Sequence, residues 1–203
     1  SVDSSNPEII EVGLEAYGGT QGRPMLNSIA LERPDTIDLA LKHDARAVVM
    51  AANEVGMPAN ASERVENVGR ILEMAFTKGM AKDDIFVDPL MFPIAVDSNY
   101  GNHVFEAIGR IRADFGNEIH IAGGMSNVSF GIPKRAIVND AFLHLAIEAG
   151  ADAGIVDPIT TSAERAMNID LESKPIKLAM DLLLGNDEYA MNYIGAYRAG
   201  ELD

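Results

Sequence analysis

The sequence has no cysteine among its 203 residues. This absence excludes disulfide bonds, thiolate zinc sites and a cysteine nucleophile. Tryptophan is also missing and aromatic residues make up only 6% of the chain, which argues against the aromatic, sugar-stacking rim of a two-carboxylate glycosidase. The four histidines show no metal-ligand spacing, so we expect no metal site in this chain.

Basic residues and long apolar runs are scarce as well. There are 16 Lys and Arg residues against 31 Asp and Glu residues, a net charge of −15, which argues against binding to a phosphate backbone and hence to nucleic acid. No apolar run approaches the length of a membrane span, and no basic-then-apolar signal segment opens the chain. We therefore expect a cytoplasmic protein without membrane contact.

The pattern that is present is an alternation of apolar strands and amphipathic helices. Strands are predicted to end near Asp3 and to cover 24–29, 47–51, 85–87, 119–122 and 153–158. Helices are predicted from Pro7, at 34–43, between the cap Asn60 and Gly79, at 103–114, 135–148 and 187–199, and as one continuous helix from 162 to 184. A glycine-rich turn is predicted at 18–22. The alternation indicates an α/β fold with a parallel sheet, in one domain over 1–203.

Polar residues recur at the ends of successive predicted strands: Asp3, Asn27, Asp88, Asn127 and Asp157. A doubly wound sheet usually has its site at one switch point, whereas a closed barrel gathers the ends of many strands into one rim. No GxGxxG or Walker glycine pattern favours a nucleotide fold. The pattern therefore favours a (β/α)8 barrel of which about six βα units are visible, so we expect an N-terminally incomplete chain.

Carboxylates and amides at such a rim suit a particular kind of ligand. A carboxylate can accept two hydrogen bonds from an amino-pyrimidinone edge, and an asparagine can donate and accept together. A flat heterocycle such as a pterin offers both kinds of partner. No Ser-His-Asp arrangement is indicated, because no histidine lies at a predicted strand end.

Five segments carry a resemblance to a known family, in the family's order: Asp3-Ser4-Ser5-Asn6-Pro7, Met25-Leu26-Asn27-Ser28, Phe86-Val87-Asp88-Pro89-Leu90, Gly124-Met125-Ser126-Asn127-Val128-Ser129 and Arg135 to Asn139. The chain resembles the methyltetrahydrofolate:corrinoid methyltransferases and the folate-binding module of cobalamin-dependent methionine synthase. The resemblance implies a TIM-type (β/α)8 barrel whose third to eighth βα units are present here. It also implies a homodimer and a corrinoid partner protein.

The resemblance further implies the activity and the site. The enzyme would transfer the N5-methyl group of methyltetrahydrofolate to the cobalt(I) of a corrinoid, or cobalamin, carried by the partner protein. Asn127 would hydrogen-bond N5 during catalysis, and Asp88, Asn27 and Asp3 would hold the pterin. Ser126 would join the substrate site, while Arg135 would approach the ligand or stabilise the loop.

Two alternatives stay open. The first is a dihydropteroate synthase-type condensation on the same barrel. That family follows its Asp-Pro with a glycine-rich, lysine-bearing segment, whereas Leu90-Met91-Phe92-Pro93 follows here. The second alternative is a truncated, non-catalytic barrel that binds a pterin or a protein partner, since a barrel that lacks two strands leaves unpaired sheet edges.

Overall fold

The computed structural model describes residues 1–18 and 22–202; most of the predicted glycine-rich turn lies outside them. Strands and helices alternate through the first two thirds of the chain, as predicted. The strands are β1 Val2–Asp3, β2 Met25–Ile29, β3 Arg46–Met50, β4 Ile85–Asp88 and β5 His120–Ile121. The α-helices are α1 Pro7–Tyr17, α2 Thr36–Lys42, α3 Ala61–Thr77, α4 Tyr100–Phe115, α5 Arg135–Ala149, α6 Ala163–Met167, α7 Lys174–Leu183 and α8 Met191–Arg198.

The chain divides into two compact units. The first comprises Ser1–Leu90 and Arg110–Gly123, and the second comprises Met91–Gly109 and Gly124–Asp203. The single domain over 1–203 stays a prediction.

The first unit is built on a parallel five-stranded sheet in the order β1-β2-β3-β4-β5. The central strand β3 contains three successive buried residues, Ala47, Val48 and Val49, as expected of a parallel strand that is covered on both faces. In β4, the buried Ile85 and Val87 alternate with the less buried Phe86 and Asp88. The register shifts between Asn27 and Ile29, and the Asn27–Ser28 peptide bond is cis. Because all five strands are parallel, their carboxyl ends share one edge of the sheet.

Helix α3 begins as the sequence predicts. The Asn60 side chain accepts a hydrogen bond from the Glu63 N–H at 3.0 Å, and the Glu63 carboxylate accepts one from the Ala59 N–H at 2.8 Å. This reciprocal arrangement is close to a capping box and satisfies two N–H groups at the start of the helix. The predicted stop is observed too, since Gly79 follows the helix with a φ of +92°.

The second unit consists mainly of helices α5 to α8 and of the turn Met125–Ser129, a short 3-10 helix. Its core includes Phe142, Leu182 and Tyr193, all of which are buried. Burial raises the pKa of Tyr193 to about 12 because the ionised phenolate would lose its hydration there.

Two predicted elements differ in the structure. The sixth strand, predicted at 153–158, is reduced to one isolated parallel bridge between Gly124 and Ile155, so six strands are not formed by the described residues. The predicted helix over 162–184 is two helices, α6 and α7, which are separated by residues 168–173. Pro175 lies in the first turn of α7, where proline favours the start of a helix. Among the described helices, none combines the length and apolar character needed to cross a membrane.

Candidate functional site

Three predicted site residues, Asp3, Asn27 and Asp88, belong to the first unit. Asp3 and Asn27 are register partners on β1 and β2. The Asn27 Nδ2 donates a hydrogen bond to Asp3 Oδ2 at 3.1 Å, so the two side chains hold each other at the edge of the sheet. The pair presents carboxylate and amide oxygens as acceptors, together with the amide N–H groups.

Asp88 is the last residue of β4, at the same edge of the sheet. Its Oδ1 accepts a hydrogen bond from the Leu90 N–H at 2.8 Å, and its backbone oxygen accepts one from the Ala51 N–H at 2.9 Å. Leu90 has a φ of +67°, in the left-handed region that is unfavourable for a bulky side chain. The carboxylate is therefore oriented by a tight turn of its own chain.

The sequence analysis missed two polar residues behind this turn, Arg64 and Asn67 of α3. They are 0% and 3% exposed, and their side chains donate to backbone oxygens near the ends of β4 and β3. A signal was present, since Arg64 precedes Val68 and Ile71 by four and seven residues on the apolar stripe of the helix.

The other three predicted residues, Ser126, Asn127 and Arg135, belong to the second unit. Asn127 lies in the Met125–Ser129 turn, which is anchored by a hydrogen bond from the Met125 N–H to the Ile155 oxygen at 3.2 Å. Its side chain is exposed, and within the described part of the chain the amide has no hydrogen-bond partner. It is therefore available to a ligand.

Gly124 makes room for this amide. A Cβ atom at position 124 would lie 2.9 Å from Asn127 Nδ2, closer than side chains normally approach. Glycine at position 124 therefore leaves the space that the Asn127 amide occupies, while its φ angle of −73° is an ordinary one.

Arg135 is the first residue of α5 and binds the same turn. Its Nη2 donates to the Ser126 backbone oxygen at 2.7 Å, and its Nε donates to Ser129 Oγ at 2.9 Å. The guanidinium lies 5.8 Å from the centre of the exposed Phe130 ring. Of the two roles expected for Arg135, these contacts fit stabilisation of the loop.

Ser126 and Arg135 also line a cavity of about 300 Å³, together with Ala136, Asn139, Asp157 and Thr160. The Asn139 Oδ1 atom is buried there and accepts no hydrogen bond within the described residues. The N–H of Ile159 and the hydroxyl of Thr160 hydrogen-bond the Asp157 carboxylate and lower its pKa. Asp157 therefore shapes its own turn and remains an anion.

Two other features of the described residues contain none of the predicted site residues. A cavity of about 340 Å³ in the second unit is lined by residues of 94–98, 131–132 and 188–190. In the first unit, Glu11, Glu15 and His43 place possible metal-ligand atoms within 4.8 Å of one another. Lys42 Nζ already lies 2.5 Å from Glu11 Oε1, and this hydrogen bond lowers the pKa of Glu11.

Comparison with known proteins identifies the family. The sequence pattern of the family described as "Pterin binding enzyme" matches residues 1–157. The chain belongs to this family. This match confirms the resemblance predicted from the strand-end motifs.

Named relatives of this pterin-binding family member are methyltransferases. The methylcorrinoid:tetrahydrofolate methyltransferase of Eubacterium limosum is 28% identical over 207 residues, which cover 99% of this chain and 71% of that protein. The methionine synthase of Mycobacterium tuberculosis is 29% identical over 191 residues, which cover 84% of this chain but only 16% of that enzyme. Relatives of the predicted enzyme class are therefore found, as expected.

Solved structures of dihydropteroate synthases resemble the chain in fold. A Yersinia pestis dihydropteroate synthase matches with a TM-score of 0.59 at 17% identity, over 81% of this chain and 68% of that one. A dihydropteroate synthetase solved with its product matches with the same TM-score at 16% identity, over 81% of this chain and 63% of that one. Family and neighbours together place the chain in the TIM-barrel-like α/β class, while the number of βα units stays a prediction.

Proposed function

We propose that this pterin-binding family member transfers the N5-methyl group of methyltetrahydrofolate to the cobalt(I) of a corrinoid that a partner protein carries. The exposed Asn127 amide, which no described residue engages, carries this proposal. The names of the two methyltransferase relatives support the reaction class. The homodimer stays a prediction.

Pterin binding is assigned to the three site residues of the first unit, Asp3, Asn27 and Asp88. Asp88 accepts hydrogen bonds from the amino-pyrimidinone edge, and the Asn27–Asp3 pair contributes donors and acceptors of its own. The Asn27 amide is already fixed on Asp3 at 3.1 Å, so little side-chain freedom is lost when a ligand binds. Ser126 and Arg135 are assigned to the substrate site through the cavity that they line.

Asn127 is assigned the catalytic contact. In the forward step the N5–methyl bond would break, the cobalt(I) corrinoid would supply the electron pair of the new bond to carbon, and N5 would keep the electron pair of the broken bond and take one proton from solvent. A hydrogen bond at N5 that strengthens during this change stabilises the transition state more than the bound substrate. By microscopic reversibility the same contact also serves transfer from a methylcorrinoid to tetrahydrofolate.

The Asn127→Ala variant tests the assignment. We expect methyl transfer to free cob(I)alamin to slow by about 10²-fold or more, as for the loss of a hydrogen bond that stabilises the transition state. Binding of methyltetrahydrofolate should weaken much less, because the contact is strongest in the transition state. Calorimetric titration followed by single-turnover transfer measures the two quantities separately.

Asn192→Ala is a matched control, since Asn192 is also exposed and lies on α8. It should leave both quantities unchanged. Equal losses of binding and transfer in Asn127→Ala would contradict the catalytic role. A wild-type protein that binds no methyltetrahydrofolate would contradict the proposed function.

A further inference from the structure

Helix α3 carries two polar side chains within its buried face. Arg64 is 0% exposed and Asn67 is 3% exposed, while Val68, Ile71 and Leu72 beside them are apolar and fully buried. A buried guanidinium is rare in proteins and persists only where its donors find acceptors. Two positions on the buried face of α3 are therefore occupied by side chains that form hydrogen bonds.

Arg64 binds the two residues that follow Asp88. Its Nε donates to the Pro89 oxygen at 2.8 Å and its Nη2 donates to the Leu90 oxygen at 3.3 Å. A guanidinium has its donors in a rigid planar fork, so one side chain can hold two successive carbonyl groups in a fixed relation. An ammonium group would hold them as a point charge without that geometry.

Asn67 acts on the neighbouring strand end. Its Nδ2 donates to the Ala51 oxygen at 2.9 Å, and the Ala51 N–H donates to the Asp88 backbone oxygen at 2.9 Å. The Asp88 backbone is therefore held from one side through Ala51, and the chain immediately after it is held by Arg64.

The conformation that these contacts hold is unfavourable by itself. Leu90 has a φ of +67°, and bulky residues keep such an angle only where the surrounding structure determines it. In this conformation the Leu90 N–H reaches Asp88 Oδ1 at 2.8 Å. Release of the Leu90 carbonyl would let the residue return to a common backbone region, and its N–H would leave the carboxylate.

We propose that Arg64, assisted by Asn67, is a positioning residue that orients the Asp88 carboxylate for its ligand by holding Leu90 in the left-handed conformation. The expected effect of Arg64 on ligand binding rests on the proposed function, in which Asp88 holds the pterin. The expected effect of Arg64 on the Leu90 backbone does not, because the hydrogen bond from the Leu90 N–H to Asp88 is formed without any ligand.

Arg64→Met and Arg64→Lys test the proposal, and Ile71→Val is the control. Methionine keeps much of the volume and removes both donors, lysine keeps the charge without the fork, and Ile71 is a fully buried residue of the same helix. Amide hydrogen exchange at Leu90 reports the turn without ligand. Calorimetry with methyltetrahydrofolate, and kcat and KM for transfer to cob(I)alamin, report the site.

We expect Arg64→Met to lose the exchange protection of the Leu90 amide and to raise Kd and KM by about tenfold or more, the scale of a lost hydrogen bond to a charged group. Because Asp88 would bind substrate and transition state alike, kcat should change far less than KM. Arg64→Lys should give intermediate values. Ile71→Val should keep wild-type exchange at Leu90 and wild-type Kd.

Wild-type Leu90 protection and Kd in either folded Arg64 variant would overturn the proposal. An Arg64 variant that is less stable overall but keeps the wild-type exchange protection of the Leu90 amide, as expected for Ile71→Val, would also overturn the proposal. If the wild-type protein binds no methyltetrahydrofolate, the proposed function fails, and exchange at Leu90 alone decides whether Arg64 orients Asp88.

Discussion

The side-chain amides of Asn27 in the first unit and Asn127 in the second unit differ in their hydrogen bonding. Asn27 has its amide on Asp3, whereas the Asn127 amide has no hydrogen-bond partner among the residues that the structure describes. A group that holds a ligand equally in all states gains from being fixed in advance. A group that must strengthen one contact during the reaction gains from having no competing partner. The difference fits the binding role proposed for Asn27 and the catalytic role proposed for Asn127.

The Gly124→Ala variant should slow methyl transfer because it displaces the Asn127 amide, and not because the new methyl group contacts the ligand. The new Cβ would lie 2.9 Å from Asn127 Nδ2, and since that atom ends a flexible side chain, the amide will rotate away while the backbone stays. We expect methyl transfer to fall by about tenfold or more, because misplacement of a catalytic group by about 1 Å can cost 10²-fold. The melting temperature should change little. Single-turnover transfer and a thermal melt measure the two effects.

Gly69→Ala is the matched control for Gly124→Ala. A Cβ at Gly69 meets nothing within 4 Å, and the residue lies inside α3. Transfer should stay at the wild-type rate there. Normal transfer by Gly124→Ala would show that the position of the Asn127 amide does not matter to the reaction.

At the scale of elements, helix α4 packs its first turn unusually close to the end of α7. A Cβ at Gly101 would lie 2.0 Å from the Leu183 backbone oxygen, whereas one at Gly109 would come no closer than 4.0 Å to the Ala149 oxygen. Both glycines lie within α4 and neither has a positive φ. Glycine is therefore required at position 101 and not at position 109.

Alanine at these two positions should have opposite effects on stability. Gly101→Ala forces α4 and α7 apart and should lower the free energy of unfolding by about 1–3 kcal/mol, the usual cost of overpacking. Gly109→Ala should raise it by about 0.5–1 kcal/mol, because alanine restricts the unfolded chain and favours the helix. Urea denaturation of the two variants measures the difference. Two variants of equal stability would contradict the observed packing of α4 on α7.

The elements that the sequence predicted well are those whose signals are local. The cap of α3 required only Asn60 and Glu63, three residues apart, and both side chains form the expected hydrogen bonds. The break between α6 and α7 also had a local signal in Pro175, which the apolar spacing on either side masked. The sixth strand failed for a non-local reason: a strand needs a hydrogen-bonded partner along its length, and among the described residues Ile155 forms one isolated bridge, to Gly124.

The candidate site was predictable to the extent that it lies at strand ends. Strand alternation predicted Asp3, Asn27 and Asp88 at strand ends. The structure has Asp3 and Asp88 as the last residues of β1 and β4, whereas Asn27 lies in the middle of β2. Arg64 was not predicted as a site residue because its partners, the carbonyl groups of Pro89 and Leu90, lie 25 and 26 residues further along the sequence. Backbone oxygens have no sequence signature, so a side chain that binds them across such a separation shows only as a charged residue on an apolar stripe.

At the scale of the whole molecule, charge is the dominant feature. The net charge is −15, and like charges repel one another when the chain is compact. The ion pairs that oppose this repulsion are mostly exposed, such as Lys42 with Glu11 and Lys177 with Glu172. Exposed pairs contribute about 0–1 kcal/mol each. Net repulsion should therefore exceed the gain from surface ion pairs.

Added salt should consequently stabilise this protein. Raising NaCl from about 0.01 M to about 0.15 M shortens the screening length from about 30 Å to about 8 Å, which weakens long-range repulsion more than contact pairs. We expect the melting temperature at about pH 7.5 to rise by about 2–4 °C for each 1 kcal/mol of repulsion removed. The same salt step near the sequence pI of about 4.5 should have a smaller effect, because the net charge is close to zero there. A melting temperature that falls with salt at the higher pH would mean that the surface ion pairs outweigh the excess of acidic residues.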